Sequence, residues 1–163
     1  MSRTFSGRAI LWPDDGYPRE MEGEAVVTRA GFNTYASFYT SIHAQAEAAY
    51  CADSGNRELC GKNLTGKIIC LPQTTGSTSA GAVWQRLARL GVAPKAMLFS
   101  RRIDSLAAGG LIVADVWAGS GWQTSDRIVT IDQLGDDFLA SVRDGDRIVI
   151  RQDGTVTIAG RFD

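Results

Sequence analysis

KIICLPQTTGSTSAGAVWQRLARLGVAPKAMLF, residues 67–99, decides the fold. KIICL is a short apolar run rich in β-branched residues, stopped by Pro72, and reads as a buried strand. A helix is predicted from about Ser79 to Leu90, because Val83, Trp84, Leu87 and Leu90 recur on one face. Gly91 and Pro94 supply its stop. KAMLF is a second buried strand. Strand, helix and strand at this spacing form a βαβ unit, with parallel strands and a right-handed crossover.

Working outward, TFSGRAI (residues 4–10) and GEAVVT (23–28) read as short strands, separated by a loop at 13–16. A helix is expected from Ser37 to Ala49, with His43 as a surface or packing residue. Residues 52–66 read as loop. GGLIVADVW (109–117) and RIVTI (127–131) are expected to be two further strands, and DQLGDDFLASV (132–142) a short amphipathic helix. DRIVIRQDGTVTI (146–158) reads as a hairpin turning at Asp153-Gly154.

The chain has 163 residues and a formal charge of −1. A chain of this size buries roughly 68–70% of its extended surface, enough for one domain. Its composition is that of a globular protein. No apolar run reaches the roughly 18–20 residues of a membrane span. The N-terminal apolar patch is too short for a secretory signal, so the expected location is cytoplasmic. Cys51, Cys60 and Cys70 form no C-x-x-C pair, and His43 is remote from them in sequence. They are expected to be reduced thiols, with Cys70 in a buried strand, and no metal site is expected within this chain.

Charge is unevenly distributed. Residues 59–103 contain seven cations and no acid; the other ten cations and 18 acids leave the rest of the chain at −8. Such a segment is either a solvated basic face or a field that attracts an anion or an acidic partner surface. The mildly acidic pI and the lack of a nucleic-acid-binding motif argue against nucleic acid.

The predicted helix start adds a chemical clue. A helix N-terminus presents unpaired N–H groups and about half a positive charge. Its first turn here, Ala80 to Val83, contains no Asp or Glu. An external anion would complete it. Gly76 permits close approach of the backbone to a ligand. One Ser or Thr N-cap, worth about 1 kcal/mol, accounts for one hydroxyl. It does not account for Thr74, Thr75, Ser77, Thr78 and Ser79 together. The P-loop pattern is absent. A serine base would need help: a helix dipole contributes at most about 2 kcal/mol, or one to two pKa units. Further positive charge has to come from a metal or from cations across a cleft, and this points to a partner chain.

The run LTGKIICLPQTTGSTSAGAVWQRLARLGVAPKAMLFSRRIDSLAAGGLIVADVW, with GEAVVTRAGFNTYASF upstream, resembles the small subunit of the aconitase X family. The resemblance covers about residues 20–135. It implies an α/β fold, a swivelling β/β/α barrel-like domain of the aconitase type, forming a single domain over residues 1–163. It further implies a hydro-lyase subunit that is active only with an aconitase-like large subunit, which carries an iron or iron–sulfur centre acting as a Lewis acid. Carried over by motif, Ser77 is the proton acceptor, with Ser79 as the second candidate. Gly76, Thr78, Ser79, Thr75 and Asn33 are the expected substrate-binding residues. Many relatives have Gly-Arg-Gly-Ser before the helix, where this chain has Thr74-Thr75-Gly76-Ser77. That departure weakens the phosphomevalonate branch, and GFNTYASF and PQTTGSTSAG more closely resemble the bacterial two-chain branch associated with cis-3-hydroxy-L-proline dehydration. The alternatives are a phosphomevalonate dehydratase small subunit, another hydroxy acid as substrate, or a non-catalytic anion-binding or assembly module.

Overall fold

A computed structural model describes residues 1–12, 18–76, 80–118 and 127–162. The loop expected at 13–16 and the Ser77–Ser79 turn lie outside the described residues. Ten strands and four helices are described. The strands are β1 (Arg3–Ser6), β2 (Arg8–Leu11), β3 (Glu20–Val27), β4 (Phe32–Asn33), β5 (Ile68–Leu71), β6 (Thr74–Thr75), β7 (Ala96–Phe99), β8 (Val129–Asp132), β9 (Asp146–Arg151) and β10 (Thr155–Arg161). The helices are α1 (Thr34–His43), α2 (Ala80–Leu90), α3 (Ser105–Ala118) and α4 (Asp136–Ser141).

Eight strands form one sheet in the order β1-β10-β9-β3-β5-β7-β8-β2. β3, β5, β7 and β8 run parallel, and every other pairing is antiparallel. The expected parallel βαβ unit is therefore β5-α2-β7, and β9 and β10 form the expected hairpin. The run TFSGRAI is not one strand. It breaks at Gly7, and its halves pair at opposite ends of the sheet, β1 with β10 and β2 with β8. One residue thus links the two edges, and the sheet is nearly closed into a barrel. A side chain has no room at this crossing: a Cβ on Gly7 would lie 2.5 Å from the Asp132 carbonyl oxygen.

Side-chain alternation along the parallel strands builds two cores. Ile68, Cys70, Ala96 and Leu98 point into the barrel with Val129, Ile148 and Phe138. Ile69, Leu71, Met97 and Phe99 point outward beneath the helices. Val83, Trp84 and Leu87 seat α2 on that outer layer, with Leu90 half-buried at its edge. Trp84 meets Phe38 of α1 edge-to-face at 5.5 Å. On the other side α2 lies backbone-close to α3, since a Cβ on Gly81 would sit 3.3 Å from Gly110 Cα. This is the β/β/α arrangement that the resemblance implied.

Two expected elements are corrected. GGLIVADVW is not a strand but the greater part of α3. Its β-branched run suits either state, and three other features decide for a helix. Asp104 Oδ1 accepts from the Leu106 and Ala107 N–H groups, both at 2.9 Å, and so caps the start. Ala107, Leu111 and Ala114 then recur at helical spacing and are buried. Gly110 admits α2 closely. α1 begins at Thr34 and ends at His43 rather than spanning Ser37 to Ala49. The alanine-rich end turns away at Gln45, which has φ +48°. That turn brings Ala49 and Cys51 into the core, where Ala49 N–H donates to Thr65 Oγ1 at 2.8 Å. Tertiary packing outweighs alanine's modest helix propensity.

Candidate active site

The connections leaving the C-terminal ends of β3, β5 and β7 lead to the N-termini of α1, α2 and α3. Ligands in α/β sheets bind beyond the carboxyl ends of the strands. Here the two short strands β4 and β6 pair in parallel, Phe32 with Thr74 and Asn33 with Thr75, and hold the first two connections together. Beside them lies a cleft of about 300 Å³ lined by Thr34, Thr74, Thr75, Gly76, Asp104, Leu106 and Ala107.

Each wall has a local cause. Asn33 caps α1, its Oδ1 accepting from Ala36 N–H at 3.1 Å. Gly76 has φ +89°, and a Cβ there would lie 2.5 Å from Asn33 Nδ2. Only glycine combines that backbone conformation with that proximity. Gly31 serves the same junction, since a Cβ there would meet Thr75 Cγ2 at 2.4 Å. Thr74 Oγ1 donates to Asp104 Oδ2 at 2.8 Å, which ties the β5–α2 connection to the start of α3. Burial by itself raises the Asp104 carboxyl, but the Ala107 and Leu106 N–H groups and the Thr74 hydroxyl outweigh it and hold the pKa below the ordinary value. Asp104 is thus a fixed anion.

This arrangement ranks the three helix ends. The positive end of α3 is already complemented by Asp104, and that of α1 is capped by the neutral Asn33. The first turn of α2 contains no acid. The first turn of α1 contains none either, so an anionic ligand in the cleft is best placed toward the starts of α1 and α2, away from Asp104.

Of the predicted site residues, Thr75 and Gly76 line the cleft, and Asn33 supports it from behind Gly76. Ser77, Thr78 and Ser79 lie outside the described residues. Thr34, Asp104, Leu106 and Ala107 line the cleft without having been expected there. For the last three the signal is Asp104-Ser105-Leu106-Ala107, an N-cap residue opening an apolar helix. It is invisible once residues 109–117 are read as a strand.

The basic segment is partly neutralised by the fold. Lys62 pairs with Asp144 and Lys67 with Glu24, while Lys95 Nζ donates to the Glu22 carbonyl. Arg102 remains exposed in a second cleft that shares Asp104 with the first. Asp132 anchors that side: its buried carboxylate accepts from Arg8 at 2.8 and 3.0 Å and from Ile103 N–H at 2.9 Å. Cys51 and Cys70 are buried and Cys60 is exposed, all as free thiols. Among the described residues, no three His, Cys, Asp or Glu side chains converge as a metal site. Nor is any described helix long and apolar enough to cross a membrane.

A nearly closed mixed sheet with three helices on one side and a cleft at their N-termini has the architecture of a swivelling domain of the aconitase type. The family described as the aconitase X swivel domain matches residues 15–158, and the chain belongs to it. The chain is 28% identical over 132 residues to the phosphomevalonate dehydratase small subunit of Archaeoglobus fulgidus, covering 81% of this chain and 84% of that one. It is 30% identical over 141 residues to the phosphomevalonate dehydratase small subunit of Aeropyrum pernix, with 86% of each covered. Its structure matches the crystal structure of Thermococcus kodakaraensis aconitase X in its holo form, with a TM-score of 0.72 at 20% identity and 99% coverage of both chains. That last likeness concerns the fold alone.

Proposed function

We propose that this chain is the small subunit of an aconitase-type dehydratase, that an aconitase-like large subunit completes its site, and that its substrate is phosphomevalonate. The class rests on the family and on two-chain relatives that are dehydratase small subunits. The observation that carries the site is the Thr75-Gly76 turn, which lines the cleft and leads into a helix whose first turn contains no acid. The relatives' shared name puts the phosphorylated substrate ahead of the cyclic imino acid expected first from sequence.

In this reading the substrate carboxylate lies toward the α2 N-terminus, with Thr75, Gly76, Thr78 and Ser79 around it. Ser77 accepts the proton from the carbon beside that carboxylate. Asp104 repels the substrate's negative groups from the α3 side and so helps to orient it. The described residues of this chain do not fit an iron or iron–sulfur centre, and we assign that centre to the large subunit.

cis-3-Hydroxy-L-proline is kept as a second reading by one observation: among the described residues, none of the seven that line the cleft is a cation. A phosphate is ordinarily met by arginine or lysine, whereas an imino acid carries no phosphate. The test is dehydration by this chain co-expressed with its large subunit, anaerobically and with iron, on each substrate in turn. Turnover of phosphomevalonate by the pair and not by either chain alone is expected. Turnover of hydroxyproline alone replaces the substrate. In the assembled pair, Ser77→Ala is expected to lower kcat at least roughly 100-fold, in line with losing a general base. Near-normal turnover refutes that role, and Ser79→Ala is then the decisive variant.

A further inference from the structure

α3 is apolar on the side it buries and on the side it exposes. Ala107, Leu111 and Ala114 face the core. Leu106, Ile112, Val113 and Val116 are 60%, 42%, 40% and 66% exposed. Val113 lies seven positions after Leu106, Val116 three further on, and Ile112 four before Val116, so at about 100° per residue all four fall on one outward side as a stripe. At the helical rise, the stripe extends about 15 Å from Leu106 to Val116. The one charged residue of α3, Asp115, lies between the two faces with a largely covered side chain, paired with Arg127 at 3.2 Å. A surface helix ordinarily turns charged residues to water, and one apolar on both sides is ordinarily covered.

The stripe's position identifies what covers it. Leu106 belongs both to the stripe and to the cleft wall, beside Thr75 and Gly76. A chain that closes the cleft on its α3 side passes over Leu106, and the rest of the stripe continues from there along the same helix. We infer that the outer face of α3 is the docking surface for the large subunit, which meets it with an uncharged apolar surface. This inference rests on the two-chain reading of the function.

The test is the affinity of the large subunit for this chain carrying Ile112→Asp or Val116→Asp. Ala159→Asp on β10 is the control, since it is exposed on a different part of the fold. Each stripe variant is expected to bind at least roughly 100-fold more weakly, because a buried unpaired charge replaces an apolar contact. The control should bind as wild type does. Circular dichroism and Tm of the isolated variants check folding. If an aspartate variant fails to fold, Val116→Ser, expected to be roughly tenfold weaker, takes its place. Wild-type affinity in the stripe variants, with the wild-type pair forming normally, overturns the docking surface alone. Failure of the wild-type chains to associate overturns the two-chain reading and this inference with it. Loss of a self-dimer, with large-subunit binding intact, overturns it in favour of a second copy on the stripe.

Discussion

Gly76→Ala is expected to destabilise the chain through two separable effects. At φ +89° any residue with a Cβ is strained, a cost of about 1–3 kcal/mol. The new methyl would also lie 2.5 Å from Asn33 Nδ2 and 2.8 Å from its Cγ. Asn33 does not yield freely, since its Oδ1 caps α1 through Ala36 N–H and its backbone is held in β4. Displacing it loses a cap worth about 1 kcal/mol. The total is about 2–4 kcal/mol, or roughly 5–15 °C in Tm for a chain of this size. Asn33→Ala alone should cost about 1 kcal/mol. In the double variant the clash is gone, so its cost should fall short of the sum by about 1 kcal/mol. Urea unfolding of the four proteins measures this coupling. Additive costs within about 0.5 kcal/mol would show that Gly76 and Asn33 do not constrain each other. An unchanged Tm in Gly76→Ala would refute the left-handed turn itself.

Asp132→Asn should destabilise the chain at pH 7 by about 1–2 kcal/mol, the value for charge-assisted bonds discounted for the half-exposed Arg8. Burial raises the Asp132 carboxyl, but the Arg8 and Ile103 bonds outweigh it, so the folded pKa lies below the ordinary value. The stability from this group is therefore full above the unfolded pKa of about 4 and is lost as pH falls through the lower folded value. Urea unfolding at pH 7 and near pH 2.5 should show the wild-type advantage shrinking in acid; a constant difference argues against the linkage. Thiol labelling at pH 8 should modify Cys60 rapidly, and Cys51 and Cys70 only on unfolding, because burial covers both and raises their thiol pKa values. Rapid labelling of all three would contradict the described core.

Some of this protein is legible without coordinates, for reasons of local chemistry. β5-α2-β7 follows from two apolar runs, a 3.6-residue stripe, and the Gly91 and Pro94 stop. The β9–β10 hairpin follows from Asp153-Gly154. The acid-free start of α2 and its Gly-Ser-Thr approach are sequence properties, and they mark Thr75 and Gly76, both of which line the cleft. Other features depend on residues far apart in the chain. Gly7 divides one apparent strand because its two halves find partners some 125 and 150 positions away, Asp132 and Ile158. The LIVADV run has the composition of a strand, and only the close face of α2 at Gly81 and the Asp104 cap make it a helix. The same choice brings Asp104, Leu106 and Ala107 to the cleft. Periodicity reports what a segment does by itself; which segments meet at one end of the sheet is settled by long-range pairing, which no local window contains.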